Sequence, residues 1–206
     1  MYERSFVRRC HQLLASGYRE LQPAALQHQE EPAITGELVR AMKSVQQRRD
    51  APRWTIYLHI ADDPPVNSPG RLGKRRRRVD IEFERPQRGR RPRFQCEAKR
   101  LHQTDSIANY LGADGLGRFL VGDYSRDDDA AGMLGYVQTR GSMEWSSELR
   151  AALDEGRVEY EIVSSEPFVQ VNLDAMPIAT WRSEHRRTAI GRPIVIYHSL
   201  LLFVGE

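Results

Sequence analysis

Apolar positions in the first fifty residues recur at helical spacing. Phe6, Cys10, Leu13 and Leu14 share one face of a helix expected over residues 2 to about 21. A polar stretch at residues 27–31 interrupts the pattern, and Pro32 opens a second helix at a position where its missing N–H costs nothing. Ile34, Leu38, Met42 and Val45 then follow three or four residues apart, until Asp50-Ala51-Pro52 ends the run. Further along the period falls to two. WTIYLHI (54–60) is rich in β-formers and predicts a strand; DDPPVNSPGRLG, with three prolines and two glycines, predicts a loop. Val79, Ile81 and Phe83 alternate with Asp80, Glu82 and Glu84, the pattern of a half-buried strand. RPQRGRRP turns the chain, and residues 93–99 return as a strand with Phe94, Cys96 and Ala98 on one face and Gln95, Glu97 and Lys99 on the other.

The second half predicts a helix over about 105–119, carrying three glycines, a short strand at 119–124, and a helix capped by the aspartates at 127–129 and running to about Gln138. Another helix is expected at 144–153, then strands at 158–163, 168–173, 178–181 and 194–204. This order describes an α/β fold on a mixed central sheet flanked by helices, with extra C-terminal strands. A chain of 206 residues, 40% hydrophobic, suits one domain over 1–206: an N-terminal helical extension (1–31), a core holding the 80–99 hairpin (32–140), and a helix with strands completing the sheet (141–206). No apolar run approaches the roughly 20 residues that cross a bilayer. MYERSFVRRCHQLLASG has charges scattered through it, unlike a secretory signal, so a cytoplasmic protein is expected, with Cys10 and Cys96 as buried free thiols.

Charge changes this picture through its distribution. Residues 71–93 hold eleven Lys/Arg against Asp80, Glu82 and Glu84, so the window carries +8 and the remainder, against a total of +3, carries −5. A basic patch on a mildly acidic protein predicts a localised polyanion contact. Ten of the eleven are arginines, suited to bidentate phosphate binding. Lys74, Arg75, Arg76, Arg77, Arg78, Arg88, Arg90 and Arg91 are the candidate nucleic-acid contacts; a nuclear localisation signal, a flexible arm or a plain solvated loop are the competing readings of the 74–78 run.

Between the two arms of this basic hairpin lies the chemistry. Glu97 and Lys99 project together because residues i and i+2 of a strand share a face, and a hairpin brings Asp80 alongside them. Two adjacent carboxylates repel and are best tolerated with a divalent cation between them. Mg²⁺, with Mn²⁺ as a substitute, suits one or two carboxylates, its other positions filled by water and phosphate oxygens. A neighbouring lysine can stabilise developing negative charge or help orient and deprotonate an attacking water. Glu82 and Glu84 share a face with Asp80; either could join the site, though charge balance for nearby arginines explains them more simply.

VDIEFE…FQCEAKRL resembles the PD-(D/E)xK nuclease superfamily, which includes restriction endonucleases and repair and phage-defence nucleases. Asp80 matches its first aspartate, Glu97 its second acid and Lys99 its lysine, with Val79 in place of the usual proline. The resemblance implies a restriction-endonuclease-like core of helix, three strands, helix and strand. It also implies a metal held by Asp80 and Glu97, catalytic assistance from Lys99, and a supporting glutamate on the preceding helix, for which Glu37 is the candidate. The activity implied is metal-dependent endonucleolytic hydrolysis of DNA, with RNA as an alternative substrate and a non-catalytic nucleic-acid-binding subunit as an alternative role. By analogy alone, the setting is the effector of a bacterial phage-defence or restriction system, targeted by homo-oligomerisation or by a partner protein.

Other residues carry weaker signals. The six histidines show no zinc spacing; His59 and His198 read as packing residues, while His102 could touch a phosphate and His185 could line the groove. Gly112, Gly115 and Gly117 read as tight turns or close packing rather than a dinucleotide fingerprint. Gln138 resembles in position a polar residue that some superfamily members place near their site. Tyr110 and Tyr136 read as core residues.

Overall fold

The computed structural model describes residues 2–66, 73–89, 91–103 and 105–205, so Arg71 and Arg90 of the basic window lie outside the described residues. β1 (His59–Asp62) runs into β2 (Pro65–Val66), and β3 (Arg77–Arg78) returns into β4 (Ile81–Glu84), forming one long hairpin. β5 (Arg93–Leu101) lies antiparallel to β4, with Ile81 opposite Cys96 and Glu84 opposite Arg93. β6 (Ala130–Val137) and β9 (Ile194–Leu202) continue parallel to β5; β8 (Ala179–His185) and β7 (Val169–Val171) complete the sheet antiparallel. The seven-stranded mixed sheet has the order β1-β4-β5-β6-β9-β8-β7, beside the two-stranded β2-β3 ladder.

Helices cover both faces, as a sheet with parallel central strands requires. α1 (Tyr2–Tyr18) and α2 (Glu31–Gln47) pack over Phe94, Cys96, Ala98, Leu134 and Tyr136. α3 (Ser106–Leu111), α4 (Leu116–Leu120) and α5 (Ser142–Glu155) pack over Leu101, Met133, Val137 and Leu200 on the other. In α2 the anticipated stripe Ile34, Leu38, Met42 and Val45 is buried, and Pro32 sits in the first turn. α1 crosses it closely at Gly17, where a Cβ would stand 2.5 Å from Met42 Cγ. Cys10 and Cys96 are buried free thiols. Among the described residues, no helix is long and apolar enough to cross a membrane.

Several segments differ from their sequence pattern. Residues 130–137 form β6 rather than a helix: AAGMLGYV is apolar at nearly every position because a central parallel strand is buried on both faces, and continuous burial hides the period. Gly132 is fitted to this place, since a Cβ there would meet Cys96 Sγ at 2.7 Å. The aspartates before it pair with arginines instead of capping, Asp128 with Arg93 and Asp129 with Arg192. WTIYLHI is mostly a 3-10 turn (Arg53–Tyr57), held by Gln46 Nε2 donating to the carbonyls of Thr55 and Leu58 at 2.7 Å, and the strand starts only at His59. His59 is exposed rather than packed. Residues 119–124 are the end of α4 and a turn; residues 158–163 are turns with a single bridge, Ile162 to His185. The helix foreseen at 105–119 is two helices, parted at Gly112 and Gly115.

Beneath α3 lies a chain of polar groups within the apolar core. Tyr110 OH meets His198 Nδ1 at 3.1 Å, Ser183 Oγ meets His198 Nε2 at 2.7 Å and His185 Nε2 at 2.6 Å, and His185 Nδ1 meets Tyr160 O at 2.6 Å. One assignment satisfies every atom: Tyr110 donates to His198, His198 to Ser183, Ser183 to His185, and His185 to the carbonyl. Both histidines are therefore neutral, in keeping with burial lowering the pKa of His185 to about 4 and that of His198 as well. His185 and His198 are core residues, and His185 does not line a groove. Ser183→Ala breaks this chain at its centre and leaves two buried nitrogens unpaired. The variant is expected to lose about 2 kcal/mol or more of stability, at roughly 1–3 kcal/mol per orphaned buried group, read as a lower urea midpoint at unchanged slope.

Candidate functional site

β4 accompanies β5 only as far as the Ile81–Cys96 pair and then leaves for the β2–β3 hairpin. The split strands the next inward amide of β5. Asp80 repairs it: its Oδ2 accepts the Ala98 N–H at 2.6 Å, so a side chain takes the place of the departed strand. The Asp80 backbone still serves the outer hairpin, its carbonyl accepting from Asp63 N at 3.0 Å. Glu97, next to Ala98, is brought within electrostatic reach of Asp80, and the pKa of each carboxyl is raised.

Lys99 completes the group. Its Nζ donates to Glu97 Oε1 at 2.8 Å, to Ala98 O at 2.7 Å and to Glu31 Oε1 at 3.2 Å. The structure therefore corrects the helical member of the site. Glu37 is half exposed and paired with Arg40 at 2.8 Å, whereas Glu31 reaches Lys99. Six residues turn a helix by roughly 240°, so the two glutamates of α2 cannot serve the same face. Glu31 escaped the sequence reading because it precedes the proline taken as the helix start; its placement in the first helical turn is the signal that could have found it. Gln138, at the end of β6 rather than on a helix, donates to Gln29 O at 2.8 Å and to Leu26 O at 3.4 Å, fastening the segment that leads into Glu31.

Burial dominates the electrostatics. It raises Glu97 to about 8, with Asp80 adding to the effect and Lys99 opposing it. Asp80 is raised by burial despite the Ala98 N–H, and Glu31 by burial despite Lys99. Burial works against a charged Lys99, but Glu97, Glu31 and Asp80 outweigh it and raise its pKa. The lysine keeps its proton while the carboxyls hold protons beyond the usual carboxylate range. Glu82 stands apart from them, its Oε2 accepting from Gln95 Nε2 at 2.6 Å, while Gln95 Oε1 receives Ser125 N at 2.7 Å. Glu84 balances Arg91, as anticipated.

The basic run divides into two places. Lys74 and Arg75 are exposed in a 3-10 turn at the Asp80 end; Arg76 Nε reaches Gly73 O at 3.3 Å. Arg77 pairs with Asp123 at 2.6 Å and Arg78 with Asp63 at 2.6 Å. Arg88 and Arg91 belong instead to the 85–92 turn at the far end of the hairpin, four extended residues, roughly 13 Å, of strand from Glu97 even at its base. Arg91 is spent there on Glu84, so these two do not flank the carboxylates. His102 lies in the loop after β5, its amide donating to Ser106 Oγ at 3.0 Å.

Among the described residues, no three His, Cys, Asp or Glu side chains form a ready-made metal cage. Two carboxylates nevertheless fit a hard divalent cation. Glu97 Oε2 is buried with no hydrogen-bond donor, an acceptor in want of a positive partner beside the Asp80 carboxylate. Asp80 and Glu97 are the residues that would hold it, and binding would have to displace the protons that their raised pKa values favour. No family model matches the chain, and neither does a curated protein or a solved structure.

A raised folded pKa means that Glu97 contributes stability below its unfolded value near 4.5 and loses it as pH rises toward 8. In chelator, the thermal stability attributable to Glu97 should fall between pH 5 and 8.5, by a few kcal/mol at most since one pKa unit is about 1.4 kcal/mol. Glu97→Gln should flatten that part of the profile, and Mg²⁺ at pH 8.5 should restore the parent. Melting curves for both proteins across the range, with and without Mg²⁺, measure all three.

Proposed function

We propose that this chain is a divalent-metal-dependent nuclease of the PD-(D/E)xK type, hydrolysing phosphodiester bonds in DNA. One observation carries the reading: two neighbouring carboxyls at the fork of a sheet, Asp80 partly buried and Glu97 buried with an orphaned oxygen, and a lysine on the same strand 2.8 Å from Glu97. The order of elements supports it. α2, then β1, β4 and β5 as an antiparallel meander, then α3–α4 and the parallel β6, follows the helix, three strands, helix and strand order expected of a restriction-endonuclease-like core.

A bound Mg²⁺ would supply Lewis-acid polarisation of the phosphoryl oxygen and acidify a coordinated water. The protein's own groups divide the remaining tasks. Asp80 is fixed by the Ala98 N–H, so its second oxygen is aimed by the sheet itself. Glu97 offers its unpartnered Oε2. Lys99 remains cationic, with Glu31 and Ala98 O as partners, and the N–H now given to Glu97 would, once Glu97 engages a metal, orient the attacking water and offset charge on the phosphate.

The Glu97–Lys99 ion pair and the lack of a third ligand among the described residues favour one alternative, a nucleic-acid-binding subunit that keeps the fold without the chemistry. Plasmid nicking in Mg²⁺ separates them. Asp80→Asn, Glu97→Gln and Lys99→Ala should each reduce the rate at least a hundredfold while leaving the fold intact by circular dichroism, and chelator should abolish cutting by the parent. Cutting at the parent rate by Glu97→Gln or Lys99→Ala would sink the assignment.

A further inference from the structure

Near this centre, two arginines converge on one carboxylate oxygen. Arg77 Nε stands 2.6 Å from Asp123 Oδ2 and Arg118 Nη1 stands 3.1 Å from the same atom. Arg77 comes from β3 and Arg118 from α4, where a tight turn folds Asp123 back, its amide donating to Arg118 O at 2.9 Å. All three side chains are partly sheltered, so the guanidiniums are held rather than waving in water. Arg118 also pairs with Asp114, but that carboxylate is 80% exposed. An ion pair at such a site is worth little, and a competing anion can displace it at small cost.

The cluster lies roughly 10 Å of extended chain from Asp80. Arg77 is three residues from Asp80 along an extended chain. Tyr124 ties the two together: its ring meets Phe119 edge-on, it shares a buried cluster with Val79, and its hydroxyl donates to Arg78 O at 2.6 Å. After burial, that hydroxyl responds to Glu97, Arg118, Asp80 and Arg77, so acids and arginines alike lie within electrostatic reach of one atom.

Resting on the nuclease reading of Asp80, Glu97 and Lys99, we propose that Arg118 and Arg77 form a phosphate-binding position, holding a backbone phosphate next to the one attacked. Asp123 accepts one N–H from Arg118 and holds Arg77 by ion pairing alone, leaving the Arg77 Nε–H without an acceptor; that group and the remaining guanidinium N–H groups are a fork for phosphate oxygens. Arg118 would thus be a substrate-binding residue that lies outside the basic run altogether.

The test is binding of a short DNA duplex by fluorescence anisotropy across a salt series, with Ca²⁺ in place of Mg²⁺ so that strands stay intact. Arg118→Gln should weaken binding about tenfold and lower the salt slope by about one. Arg118→Lys should fall between it and the parent, since charge is kept but the fork is lost. Asp114→Asn, which removes the exposed competitor, should tighten binding about twofold, an effect opposite in sign to any damage to the fold. Arg182→Gln on β8, where Arg182 pairs with Glu184, is the control and should match the parent. Parent affinity and slope in Arg118→Gln, or weaker binding in Asp114→Asn, would overturn the proposal; should Arg118→Gln fail to fold, Asp114→Asn still decides it. Plasmid cutting in Mg²⁺ is read separately. A parent that binds but does not cut fails the nuclease reading while the Arg118 and Asp114 variants still decide the phosphate site. A parent with no salt-dependent DNA affinity overturns the site itself.

Discussion

A backbone amide cannot be buried without an acceptor, and the hydrogen bond from Ala98 N to Asp80 Oδ2 meets that demand where two strands part. Much of the site follows from it. If β4 continued beside β5, Asp80 would be an ordinary outward residue of a paired strand. Because β4 diverges, a carboxylate must turn inward, and it arrives against Glu97 in surroundings that penalise its charge. Lys99 and Glu31 then gather around an excess of acid. The site is an electrostatic debt created by topology, and a divalent cation is the kind of partner that settles it without rearranging the sheet.

The fork was legible in the sequence to the extent that it depends on strand period. Alternation over 79–84 and 93–99 was enough to bring Asp80, Glu97 and Lys99 to one place, since a strand's faces are fixed by parity. Helix phase is less forgiving. Glu37 and Glu31 lie on the same α2, and without knowing how α2 docks on the sheet, no periodicity says which acid reaches Lys99. Burial on both faces defeated the reading of β6 for a related reason: when every position is apolar, period carries no information, and Ala, Met and Leu tilt the choice toward helix. His185 and His198 misled or informed by chance, because a histidine in a strand gives no hint of whether it meets solvent or, as here, a buried serine.

Charge in sequence also overstates charge in space. The window 71–93 carries +8, yet Arg77, Arg78, Arg91 and Arg93 each face an acid, three of them acids from outside the window. The acids that lower the net charge elsewhere are thus partly the same ones that fix the arginines in place. Beside the 85–92 turn a cleft of about 640 Å³ is lined by Arg91, Arg93 and Arg192 and by Glu84, Asp127 and Asp128, so charge is balanced within the cleft itself. Within that cleft opposite charges compensate one another, so it adds little to the net positive potential of the window.

At the opposite end of the hairpin the balance differs. Lys74 and Arg75 are exposed and form no ion pair among the described residues, while Arg77 and Arg118 share Asp123. Mobile exposed lysine and arginine attract a phosphate backbone from a distance, a function that needs charge but not geometry. Sheltered, carboxylate-fixed guanidiniums do the reverse, adding little to the far field and much to register, because their N–H groups are already oriented. On the proposed nuclease reading, a centre that places one phosphorus atom against two carboxylates would use both kinds, the second close to the carboxylates. The fork supplies that proximity, since the strand that leaves β5 to create the carboxyl pair is the strand that carries Arg77 three residues earlier. One departure from regular pairing thus sets both the acids and the nearby cations, and the sequence between Arg77 and Asp80 is short because the geometry linking them is.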